Sequence, residues 1–470
     1  MTTKQSVVSA IAVRQLLLPS CQSRVVTADT TLVLRLMQAP GKTWQLPPQL
    51  LALVVARLDP AERLGSMARV SSAWRAAAVM ATNSISAHGE KALHWGWAGI
   101  SLEKATALAD WLQAHAAAAA LDSLAVTGHS HPTLQLPVQQ LATLRSLDLD
   151  RLTLAVQGPT ATALPPELSA IAHLRLWKCH VGLSTLPAFT NLQHLALCSS
   201  SDPDSPQKTF CSLPEVSSLV HLTHLHLANG YDHDTVLGSV GALTSLQELR
   251  VEGRSYTAAG LVALPVSLTK LCMRLPESRS YFDPPAPIVT LALGTTPALA
   301  ALTALRWLHL EGVTGFSAAL LRDMSSLQHL AVQGTPLLAE TRSVEEDNTR
   351  GLNLSVLSGL TQLQHLELPQ TRKQLAAAPT AEDVAALTAS SQLTCLIIDQ
   401  GLVRQEQYCH MWPEGRRLLK LKEIRATMGL FGTKVDMIRL VDCCPGLKKV
   451  DASEGACNLH GCFLGLLCLQ

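Results

Sequence analysis

The sequence predicts an α/β solenoid with a parallel concave sheet and a mixed convex side, preceded by a small three-helix module. Three observations carry that expectation. A block of the form Leu-x-x-Leu-x-Leu, with aliphatic substitutions, begins at Leu121, Leu144, Ile171, Leu192, Leu222, Leu246, Leu268, Leu305, Leu327, Leu363, Leu393, Leu421 and Leu447. Of the 470 residues 47% are hydrophobic but only 4% aromatic, so the core must be built almost wholly from leucine and alanine, as stacked repeats allow. Residues 46–78 lack this period and instead carry proline-marked helix starts.

Most steps between block starts span 21–30 residues, the longer ones following Leu268 and Leu327. A heptad would recur far more often, which excludes a coiled coil. This is the pattern of leucine-rich repeats, about 13 of them, over residues 121–455. The leucines of each block point inward from one short strand, and successive strands stack in parallel about 4.8 Å apart. Each repeat must then return over the outer side. Ala163 to Leu168 and Ser184 to Phe189 read as tight non-helical returns, whereas Ala381 to Ser390 reads as helical. Cys179 is the clearest instance of the Asn or Cys that follows such strands.

In chain order, residues 1–45 hold Lys4, Arg14, Arg24 and Arg35 with no acidic residue before Asp29. This has some likeness to an organellar transit peptide, but a disordered leader or short packing arm is the preferred expectation. Pro47 and Pro48 suit a first helical turn, and Leu50, Val54 and Leu58 follow at four-residue spacing. Asp59-Pro60 with Glu62 forms a capping-box start for a second helix lined by Leu64, Met67 and Val70. Ser71 or Ser72 can cap a third helix carrying Trp74. Three helices this short cannot cover their own apolar surface, so the excess reads as a docking face.

The pattern Leu-Pro, paired aliphatics, Leu-Asp-Pro, then Val-x-x-x-Trp-Arg over 46–78 resembles the F-box. Gln49 stands where that family usually has Glu, and Arg63 interrupts the usual acidic-then-leucine step. The resemblance implies the non-catalytic substrate-recognition subunit of a cullin–RING ubiquitin ligase. Leu46, Pro47, Leu50, Leu51, Val54, Leu58, Leu64 and Val70 would dock the adaptor that leads to the cullin complex, with Trp74 partly structural. The alternative is a leucine-rich-repeat scaffold or regulator without ligase attachment, in which 46–78 only cap the array.

Residues 79–120 read as a connector followed by an N-terminal cap helix, 101–119, and 456–470 as a C-terminal tail or cap. Three segments leave the period: 199–214, 276–287 with Tyr281-Phe282, and 336–353 with Glu340, Glu345, Glu346 and Asp347.

The third, fifth and seventh positions of each block alternate outward onto the concave sheet. There Arg175, Trp177, His194, His224, His226, Arg250, Arg274, Trp307, His309, His329 and His365 are the expected contacts to an unidentified target protein. Leu-Gln-His-Leu is a frequent spelling of these repeats, so the histidines are expected to be solvated polar surface rather than a metal site. Cys443, Cys444, Cys457, His460 and Cys462 match no paired zinc spacing and read as core thiols. No phosphate-cradling loop, nucleophile elbow or cofactor motif is found. A net charge of +1 gives no case for nucleic acid or membrane surfaces. Twelve cysteines without an even framework, and no secretory signal, suggest reduced thiols in a cytoplasmic or nuclear protein.

Overall fold

The computed structural model describes residues 79, 82, 84–87 and 100–452, leaving aside 130, 157–163, 199–213, 229–237, 253–263, 275–288, 291–300, 312, 315–317, 334–353, 369–379, 399–406, 414 and 427–433. The leader, residues 46–78 with all nine expected adaptor contacts, nearly all of the three period-breaking segments, and the tail beyond 452 lie outside the described residues.

Among the described residues, fourteen strands form one parallel sheet. They are β1 (Ser84–Ala87), β2 (Ser123–Thr127), β4 (Ser146–Asp150), β6 (His173–Trp177), β7 (His194–Cys198), β8 (His224–Ala228) and β9 (Glu248–Glu252), continuing with β10 (Lys270–Arg274), β12 (Trp307–Glu311), β14 (His329–Gln333), β15 (His365–Leu368), β16 (Cys395–Ile398), β17 (Glu423–Ala426) and β18 (Lys449–Ala452). Thirteen of them begin two residues after the first residue of a repeat block, which is where the leucine spacing requires a strand. β3 (Thr133–Leu136) and β5 (Thr153–Val156) pair in a small side sheet of their own, as do β11 (Val289–Thr290) and β13 (Val313–Thr314). The architecture is a leucine-rich-repeat solenoid.

Leucines fix this architecture. In β6, Leu174 and Leu176 are buried while His173 and Arg175 are exposed, and the same alternation recurs from strand to strand. The inward side chains merge into one continuous core from Ile85 to Val450. A backbone ladder registers the coils. Asp122 O accepts from the N–H groups of Arg145 and Ser146, Arg145 O from Ala172 and His173, and so on to Lys422 O, which accepts from Lys448 and Lys449. This ladder runs unbroken from β10 to β12 and from β14 to β15, across both long steps of the sequence. The extra residues therefore leave the coil without disturbing its stacking.

The convex side is mixed. Short 3-10 segments cover it at Pro166–Leu168, Leu186–Ala188 and Leu354–Gly359, whereas α1 (Leu102–Ala119), α2 (Ala381–Ala386), α3 (Tyr408–Met411) and α4 (Lys434–Cys443) are α-helical. Cys179 donates its thiol hydrogen to Leu149 O at 3.3 Å, satisfying a carbonyl of the coil before it.

The N-terminal end differs from expectation. Among the described residues the sheet begins at β1, inside the stretch read as a connector, and β1 pairs with β2 in parallel. Hence α1, expected to cap the array, is the convex return between the sheet's first two strands, with Leu112 and Ala116 buried. The sequence hides β1 because Ser-Ile-Ser-Ala offers one buried isoleucine and no leucine block.

Candidate functional site

All eleven expected concave residues lie on sheet strands, on the face opposite the buried leucines. Arg175 and Trp177 are on β6, His194 on β7, His224 and His226 on β8, Arg250 on β9, and Arg274 on β10. Trp307 and His309 are on β12, His329 on β14 and His365 on β15. Because the strands are in register, these residues form rows that run across the sheet.

One row is continuous. The rings of His173, His194 and His224 stack with centroids 4.3 and 4.0 Å apart. His224 Nε2 lies 3.9 Å from Glu248, and Glu248 pairs with Lys270 at 2.8 Å. Lys270 Nζ stands 5.3 Å from the Trp307 ring centroid, in cation–π range. Trp307 then stacks on His329 at 3.4 Å and His329 on His365 at 4.1 Å. The expectation of solvated histidines holds for His173, which is exposed, and is corrected for His309 and His329, which retain 5% and 9% of their exposure. Strands in register hold successive rings at about the strand spacing, close enough for face-to-face contact that excludes water.

A second feature lies one row over. Arg175 grips Asp148 with 3.0 Å contacts to both carboxylate oxygens, and its guanidinium is 5.1 Å from the Trp177 ring centroid. In the rows of Arg175 and Trp177, strand β7 presents only Ala196 and Cys198. Those small side chains let Trp177 reach across β7 to the His226 ring, 5.2 Å away. They also leave a hollow of about 350 Å³ lined by Asp148, His173, Arg175, His194, Ala196, His224, His226, Glu248 and Arg250. A larger recess of about 680 Å³ lies along the adjoining sheet margin, among Thr223, Gln247, Thr269, Lys270, Arg306 and the 39%-exposed Trp307.

The electrostatics follow from this crowding. Burial, then the neighbouring His224 and His173, lower the His194 pKa. Burial, then His365, lower His329 to about 3. For His365 burial acts in the same direction, but Cys395 and Glu367 beside it outweigh it and raise the ring to about 9. Glu252 is held down by His226, 3.5 Å away, and by Arg250, whose Nε donates at 2.7 Å; against opposing burial its pKa falls from 4.5 to about 2.

Glu252 supplies a pH test. Its folded pKa is below the unfolded one, so its stabilisation is complete above pH 4.5 and is lost as pH falls from there toward 2. The side chain is 18% exposed, and the contribution is on the order of 2–3 kcal/mol. Glu252→Gln is expected to lose less stability than wild type between pH 5 and pH 3 in urea titrations; parallel curves would refute this role.

No protein-family model matches the sequence, and no curated protein matches it. Solved structures do. The chain is similar to an internalin (inlF) from Listeria monocytogenes at 14% identity, covering 75% of this chain and 95% of that one, with a TM-score of 0.43. It is also similar to the LRR protein LIC12759 of Leptospira interrogans, at 16% identity, 70% and 78% coverage and a TM-score of 0.41. A third likeness is to the structure of PEPR1-AtPEP1, at 14% identity, 90% and 54% coverage and a TM-score of 0.34.

Sequence reasoning missed several members of the site. Glu248 and Lys270 complete the ion pairs, and Ala196 and Cys198 matter because they are small. Each could have been found by reading the same block position in the neighbouring repeat. Of the C-terminal thiols, Cys443 and Cys444 are buried in the core, and burial pushes Cys444 up to about 12. Cys457, His460 and Cys462 lie outside the described residues. Among the described residues, no helix is long and apolar enough to cross a membrane.

Proposed function

We propose that this chain is a non-catalytic protein-recognition solenoid that holds a partner protein against its concave face. The observation that carries this reading is the hollow between β4 and β9. Arg175 and Arg250 line it and Trp177 stands beside Arg175; these side-chain types, enriched at binding hot spots, are held at fixed spacing on one rigid sheet. Ion pairs and ring contacts order them in the absence of a partner, so little conformational entropy remains to be lost on binding.

A finer reading is that the partner is a degradation target and that residues 46–78 tether the solenoid to a ubiquitin-ligase adaptor in the cytoplasm or nucleus. Its support is the sequence pattern from Leu46 to Arg75. The mechanism would then be positioning, which raises the effective concentration of target lysines near the conjugating enzyme.

One paired experiment tests both. The full chain, carrying a photo-crosslinker at position 226, is compared with an Arg175→Ala/Trp177→Ala variant for capture of a defined cellular partner. The variant is expected to lose at least about tenfold in affinity, and undiminished capture would exclude the concave site. Separately, purified adaptor is mixed with wild type and with Leu50→Asp/Val54→Asp. Binding by wild type alone supports the ligase reading; no binding by wild type leaves a scaffold without ligase attachment.

A further inference from the structure

β14 and β15 bring together a group of side chains that protein recognition does not require. His329 and His365 are register partners, and Glu367 lies two residues beyond His365 on the same face of β15. The imidazole planes are 13° from parallel, and His365 Nε2 is 3.6 Å from Glu367 Oε2. That is too long for a hydrogen bond, and Nε2 is buried with no hydrogen-bond partner. One donor atom from each of the three residues lies within 4.8 Å of the other two, and no other trio of histidine, cysteine and carboxylate meets that condition among the described residues.

The other histidine stack shows why this place is distinct. His173, His194 and His224 are spaced similarly, but none of them has a carboxylate two residues on along its own strand, where Arg175, Ala196 and His226 stand. At His365 the carboxylate is on the same strand as the ring.

We propose that His329, His365 and Glu367 form a binding site for a divalent transition-metal ion of the zinc type, with an open coordination position facing the concave groove. Two imidazoles and one carboxylate suit a borderline ion and leave the fourth tetrahedral position free. Magnesium and calcium want six or more oxygens, and copper(I) wants sulfur. Ligands 2.0–2.2 Å from a tetrahedral ion stand about 3.3–3.6 Å apart, so the trio must contract by about 1 Å. The lone pairs of stacked rings run side by side, so His329 and His365 must also turn about χ2 out of their stack to aim at one ion, with the strands holding the Cβ atoms in place. The bound ion would displace the proton of the His365 ring into solvent, occupy the space between His365 Nε2 and Glu367, and satisfy the buried nitrogen. It would also put a Lewis acid beside Trp307, where an imidazole or carboxylate of a bound protein can complete the coordination.

The test uses the purified full chain without any partner, so its outcome is independent of the protein-recognition reading. Cobalt(II) is titrated in a non-coordinating buffer with thiols kept reduced, and zinc affinity is measured by competition with a chromogenic chelator. One equivalent is expected, with tetrahedral d–d absorption and no thiolate charge-transfer band. His329→Ala and His365→Ala should each weaken binding by about 100-fold or more, and Glu367→Gln by about tenfold. His173→Ala, in the other stack, should leave affinity unchanged and controls for general damage to the sheet. The proposal is overturned by an absence of uptake, by affinity that survives both histidine variants, or by a thiolate band showing that cysteines hold the ion.

Discussion

Replacing Asp383 by alanine is expected to destabilise the C-terminal part of the solenoid by about 3–5 kcal/mol. The carboxylate is 7% exposed and accepts four hydrogen bonds. Oδ2 takes the backbone N–H of Thr380 at 2.9 Å and its hydroxyl at 2.8 Å, and Thr380 Oγ1 accepts from the Asp383 N–H, closing a capping box at the start of α2. Oδ1 takes the N–H groups of Leu354 and Ser355 at 2.8 and 3.1 Å, at the start of the convex turn one coil earlier. One side chain thus terminates two convex segments that lie 29 residues apart in sequence. Alanine would leave three backbone N–H groups without acceptors, at about 1–3 kcal/mol for each that water does not reach.

Asparagine separates charge from shape at the same place. Its carbonyl can keep Leu354 and Ser355, but its amide cannot accept from Thr380, so Asp383→Asn should cost about half as much. Because each coil touches only its neighbours, the loss should be local. Hydrogen exchange is expected to accelerate in β15 and β16 and to be unaltered from β2 to β7. Unchanged protection at Leu354 and Val384 in the alanine variant would show that Asp383 does not join the two coils.

These two kinds of contact mark how far the sequence could be read. Strand positions were legible because the leucine spacing itself is the physical cause of the fold: Leu174 and Leu176 must go inward, so His173, Arg175 and Trp177 go outward. The row order was legible too, since equal block positions become neighbours. Whether neighbouring side chains would meet was not, because that depends on rotamers and on what flanks them. His329 is nearly buried only because Trp307 and His365 close on its two faces. Likewise Thr-Ala-Glu-Asp before Val384 is readable as a cap, but no periodicity announces that the same aspartate reaches back to Leu354. β1 escaped for the opposite reason: it pairs with β2 through its backbone and contributes a single buried isoleucine.

Phe189→Ala is the other large effect, expected at about 3–5 kcal/mol. Phe189 is 0% exposed and is the one phenylalanine among the described residues, set in a core of leucines. Its N–H donates to Leu186 O at 3.0 Å and its carbonyl accepts from Leu192 at 3.0 Å, so the backbone holds it at the tight return between β6 and β7. A 3-10 turn supplies fewer inward side chains than a helix of several turns, so a single large ring has to fill that coil. Truncation removes the ring, and the hydrogen-bonded turn cannot collapse into the space. Phe189→Leu, closer in volume, should cost about 1–2 kcal/mol. The consequence reaches the opposite face, because β6 and β7 carry His173, Arg175 and His194 along one side of the concave hollow, with Trp177 next to Arg175. Exchange protection in β6, β7 and β8 and partner capture through Arg175 and Trp177 are therefore expected to fall together in Phe189→Ala, while metal uptake at His329 and His365 stays as in wild type. Loss of protection with partner capture intact would mean that the concave residues do not depend on the convex core behind them, and the hollow would then need another explanation for its order.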